Sequence, residues 1–69
     1  MLTEAVLKSF LLDMPRGHVF DLTYQLMSDV FPPGKDDPAA VARLQAFATA
    51  CECDVVDNAA EGRFELTRR

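Results

Sequence analysis

Sixty-nine residues make one small domain, of a size that buries only roughly 60% of the surface its unfolded chain exposes. A hydrophobic content of 49% excludes a disordered chain of low hydrophobicity, and no apolar run approaches the roughly 20 residues that span a bilayer. The formal charge of −4 at pH 7 is unevenly placed: residues 1–62 carry ten acids and four bases (−6), while Arg63, Arg68 and Arg69 against Glu65 leave the tail at +2. Nucleic-acid affinity depends on phosphate neutralisation by Lys and Arg, so most of the chain is poorly placed for it. No basic region followed by an apolar run and a small-residue cleavage site opens the sequence, and a cytoplasmic, soluble chain is expected.

The first segment, LTEAVLKSFLLDM, reads as a helix over about residues 3–14. Leu7, Phe10, Leu11 and Met14 recur at the spacing of one helical face. Thr3 is the expected N-cap, Leu2 and Leu7 fall at the positions of a hydrophobic staple, and Glu4 with Lys8 forms a favourably oriented pair one turn apart. Pro15 and Gly17 then end the helix.

HVFDLTYQLMSDVF predicts a second helix, over about residues 18–31, that is apolar nearly all round. One stripe runs through Val19, Leu22, Leu26 and Val30, and another through Phe20, Tyr24, Met27 and Phe31; Asp21, Gln25, Ser28 and Asp29 supply the only polar strip. Such a helix must be covered on most sides, and a small domain has few elements to cover it. The first reading is a central core helix; the second is that part of it faces another chain, with Phe20, Tyr24, Met27 and Phe31 as the candidate partner-binding face. On this reading a charge at Met27 or Tyr24 disrupts association and leaves the helices folded.

The breaker PPGKDDP leads to a third helix over about residues 38–51, with Asp37 as N-cap and Pro38 at the first helical position. Val41, Leu44, Phe47, Ala48 and Cys51 give its core face. The rest of its surface holds Ala39, Ala42, Arg43, Ala46, Thr49 and Ala50; helix propensity accounts for the small residues among them, with close approach of another backbone as the lesser reading. A β-hairpin over about residues 53–68 closes the domain. Cys53 and Val55 alternate with Asp54, and Phe64 and Leu66 alternate with Arg63, Glu65 and Thr67. Joining the apolar sets places Val55 opposite Phe64 or Leu66, with Gly62 available where φ must be positive.

Several constellations invite chemistry and fail on spacing. Cys51 and Cys53 fall where a small buried hydrophobe is wanted; a structural zinc site needs four ligands, and one C-x-C with one histidine is half a site unless a dimer supplies the rest. The common redox signature is C-x-x-C, which this pair lacks. The Gly-Lys in PPGKDD lacks the upstream glycine and the hydroxyl of a phosphate cradle. His18, Asp21 and Ser28 have nothing in their order that makes a triad. Glu52, Asp54, Asp57 and Glu61 form a solvated acidic face, with docking of a basic partner as the lesser reading.

The chain is thus expected to be α+β, three helices followed by a C-terminal hairpin, with a layout that is winged-helix-like by analogy only. No enzymatic activity, cofactor, metal or small-molecule ligand is expected. The favoured function is a small protein–protein interaction or regulatory module, self-associating as a homodimer. The alternative is a nucleic-acid-binding domain in which Arg43, Gln45 and Thr49 of the third helix and Arg63, Arg68 and Arg69 of the hairpin make the contacts. Against it stand the alanine-rich reading face, the acids around the hairpin and a connection between the second and third helices longer than the usual three or four residues.

Overall fold

The computed structural model describes residues 1–69. Its elements run α1 (Glu4–Asp13), β1 (Val19–Thr23), α2 (Tyr24–Val30), α3 (Pro38–Ala50), β2 (Cys53–Asn58) and β3 (Arg63–Arg68). The strands form one antiparallel sheet in the order β1-β3-β2, so the fold is α+β and ends in the expected hairpin. Val55 stands opposite Leu66, one of the two registers the apolar pattern allowed. Asn58 opposite Arg63 leaves residues 59–62 as the turn, and Gly62 takes the positive φ, +69°.

One predicted element is corrected. Residues 19–23 are extended rather than helical, and α2 keeps only Tyr24–Val30 of the helix expected over 18–31. The burial along β1 alternates, with Leu22 buried and Phe20 partly so, while Val19, Asp21 and Thr23 are exposed. Val, Phe and Thr suit a pleated surface, and β3 offers an unpaired edge, so ladder formation outweighs the helical periodicity of the same residues. Thr23 marks the switch: its backbone is extended and its Oγ1 accepts the Leu26 N–H at 3.2 Å, making it the N-cap of α2.

The other helix starts follow their local chemistry. Thr3 Oγ1 accepts from Val6 N–H at 3.2 Å, and Asp37 accepts from Ala40 N–H at 3.1 Å with Pro38 in the first turn. At the end of α1, the guanidinium of Arg68 donates to the carbonyls of Leu11 at 2.7 Å and Leu12 at 3.2 Å. A cation there satisfies carbonyls that have no intrahelical donor. Glu4 and Lys8 form no ion pair within 4 Å.

All three helices send apolar side chains toward one face of the sheet. The core joins Leu7 and Leu11 of α1, Leu22 of β1, Met27 and Val30 of α2 with Phe31, Ala40, Leu44 and Ala48 of α3, Cys51 and Cys53 at the corner, and Phe64 and Leu66 of β3. Each fully buried leucine contributes about 1.5–3 kcal/mol relative to exposure. Between α2 and α3 the loop turns against Ser28 through Gly34, where φ is +125° and an added Cβ would lie 2.6 Å from Ser28 Oγ. The opposite face of the sheet carries no helix; it exposes Val19, Asp21, Asp54 and Val56.

Candidate interaction surface

The stripe read as a partner-binding face is divided by the structure. Met27 is fully buried and Phe31 is 2% exposed, with its ring edge-on to Phe47 at 5.6 Å between centroids. Both are core residues, and a charge at Met27 would unfold the chain rather than release a partner. Tyr24 is a clasp. Its hydroxyl donates to Asp57 Oδ1 at 2.5 Å, its ring meets Phe64 edge-on at 5.4 Å, and Lys35 Nζ lies 5.0 Å above it. The Asp57 hydrogen bond, followed by desolvation, pushes the Tyr24 hydroxyl up to about 12.

Phe20, like Tyr24, is partly buried and packs against the core. It lies on β1, an outer strand, and its ring stacks on Phe10 of α1 at 5.9 Å with planes 20° apart. Phe10, which the spacing places on one helical face with Leu7, Leu11 and Met14, is 51% exposed, because α1 rolls so that Leu7 and Leu11 point inward. Val6, one turn before Phe10, is 42% exposed. Leu12 and Val19 are also exposed but lie elsewhere, Leu12 on the far side of α1 from Phe10 and Val19 on the open face of the sheet. An aromatic pair left open beside an unpaired strand edge can anchor another protein, since aromatic side chains bury large areas at little entropic cost.

The residues assigned to nucleic-acid contact are scattered. Gln45, Thr49 and Arg69 line one cleft of about 270 Å³ together with Cys53, Asp54 and Val55. Arg43 donates to the Pro32 carbonyl at 2.8 Å, on the α2–α3 loop. Arg63 faces Glu65 at 3.2 Å and Asp21 at 3.6 Å on the open face of the sheet. Arg68 is held by α1 and by Glu52 at 3.3 Å, and Arg69 by Asp54 at 2.8 Å. With Lys35 bound to Asp36 at 2.7 Å, only Lys8 and Arg16 among the lysines and arginines lack a hydrogen-bonded or ionic partner. Arg68 shows how side-chain type misleads here: the guanidinium that suits a phosphate equally suits helix carbonyls, and the fold brings the carbonyls.

Cys51 and Cys53 are free thiols, 2% and 1% exposed, packed where α3 becomes β2. Burial pushes the Cys53 thiol up, with Arg68 opposing, and its Sγ lies 3.6 Å from the Cys51 carbonyl oxygen as a weak donor. Between them Glu52 adopts a left-handed backbone, φ 59°, which turns the chain out of the helix. His18, Asp21 and Ser28 make no hydrogen bond with one another; Ser28 donates to the Tyr24 carbonyl at 3.1 Å and Asp21 faces Arg63. No helix is long and apolar enough to cross a membrane. Set against protein-family models, curated proteins and solved structures, the chain matches none of them.

Proposed function

We propose that the chain is a small non-enzymatic interaction module that pairs with its own copy through the surface of α1 and β1 centred on Phe10 and Phe20. The observation that carries this reading is the half-exposed aromatic stack beside the open edge of β1. A domain of this size gains from oligomerisation what a small core does not supply. The interface is modest: a standard one removes about 800 Å² per partner, roughly a fifth of the 4194 Å² surface, so a smaller contact and micromolar affinity are expected. A cytoplasmic location belongs to the same reading, and the two free thiols suit a reducing compartment.

The nucleic-acid alternative draws support from the convergence of Gln45, Thr49 and Arg69 on one cleft. Against it, Asp54 holds Arg69, and Arg63 and Arg68 are engaged within the chain. The experiment compares Phe10→Asp with Met27→Asp by chemical cross-linking and circular dichroism. Phe10→Asp is expected to lose the cross-linked dimer and keep the native spectrum, whereas Met27→Asp loses the spectrum. A Phe10→Asp protein that cross-links as well as the parent defeats the surface assignment.

A further inference from the structure

A second region combines a strand edge with a cleft. Arg69 N–H donates to the Glu52 carbonyl at 2.9 Å, which makes Cys53 and Arg68 a non-hydrogen-bonded pair. Along an antiparallel ladder the two kinds of pair alternate, so Asp54 and Val56 exchange bonds with β3 while Val55 and Asp57 turn their N–H and C=O groups away from it. β2 is the outer strand on that side, and those groups meet no other strand. Alongside runs α3, whose Gln45 and Thr49, one turn apart, form the cleft of about 270 Å³ with Cys53, Asp54, Val55 and Arg69.

We infer that this cleft receives an extended, basic peptide segment of another protein, which adds to β2 as a fourth strand. The outward donors and acceptors of Val55 and Asp57 match the two-residue repeat of a peptide backbone, and alternate peptide side chains would point toward Gln45 and Thr49. Charge selects the sequence. Glu52, Asp54 and Asp57 lie on or beside the strand and Glu61 in its turn; Arg68 and Arg69 face the first two, leaving Asp57 and Glu61 without a cation. Asp54 and Arg69 pair within the cleft, so lysine or arginine on the part of the incoming strand that runs on past it would meet the charge of Asp57 and Glu61. The same acids repel a phosphate backbone, and they repel a second β2 placed edge to edge. This surface is separate from the Phe10–Phe20 face, so either proposal can fail without the other.

The probe is a blocked Lys-Val-Lys-Val-Lys-Val-Lys peptide titrated into the ¹⁵N-labelled full chain. The Val55 and Asp57 amides are expected to shift and to exchange more slowly with solvent. Val55→Pro removes an outward N–H that the β2–β3 ladder does not use, a substitution tolerated on an edge strand, and it should weaken binding about tenfold or more. The same peptide N-methylated at every residue keeps the charge and loses every backbone donor, so it tests strand addition on the unmodified protein and should also bind about tenfold more weakly. Replacing its lysines by glutamates should abolish binding. The proposal is overturned if the parent and N-methylated peptides bind alike, if the shifts centre on Phe10 and Phe20, or if no shift occurs at millimolar peptide. It is equally overturned if a single-stranded oligonucleotide moves the same amides at lower concentration, or if they move with protein concentration alone.

Discussion

Tyr24 is the only tyrosine, and there is no tryptophan, so its ionisation can be followed by tyrosinate absorbance without interference. Because the hydrogen bond to Asp57 favours the protonated hydroxyl, the folded value lies above the unfolded one. Its contribution to stability is therefore whole below the unfolded tyrosine value of about 10 and is lost as pH rises through about 12. Asp57→Asn is expected to bring the midpoint of the alkaline titration down toward the ordinary tyrosine value. An unchanged midpoint in that variant would mean that the Asp57 contact does not hold the hydroxyl. Tyr24 was singled out from the sequence for its place in an apolar stripe. Its acid partner lies 33 residues away, and no local pattern signals that pairing.

Among the elements, α1 depends on a residue from the far end of the chain. Removing the side chain by Arg68→Ala takes away two hydrogen bonds to the Leu11 and Leu12 carbonyls and the ion pair with Glu52. Hydrogen bonds to a charged group contribute about 1.5–3 kcal/mol, and urea unfolding of the variant should report a loss of that order. Arg63→Ala, on the open face of the sheet, should lose less than about 1 kcal/mol. Equal losses would contradict the capping role. The sequence showed Thr3, Asp37 with Pro38, and Gly62 because caps and turns are local chemistry. The hairpin register followed from the alternation of Cys53 and Val55 with Phe64 and Leu66. β1 was illegible because Val19, Phe20, Leu22 and Tyr24 satisfy a helical stripe and a strand alike, and only pairing with β3, more than forty positions later, decides between them. For the same reason the spacing groups Phe10 with Leu7 and Leu11 although only the latter two are buried: α1 chooses its inward face by packing, and Leu7 with Leu11 fills the available space.

At the scale of the whole molecule, the balance is a small core of residues drawn from every element against exposed apolar groups, of which Val6 and Phe10 share one face of α1. The lysines and arginines are mostly committed to internal partners, which weakens the case for phosphate binding, while Phe10 and Val6, beside the partly buried Phe20, remain open to another chain. Self-association is the central claim, and the measurement that tests it most directly is sedimentation equilibrium of the full chain from low micromolar to millimolar concentration. The molar mass is predicted to rise from the 7.7 kDa of one chain to twice that value across this range. A mass that stays at one chain up to the highest concentration would contradict the claim.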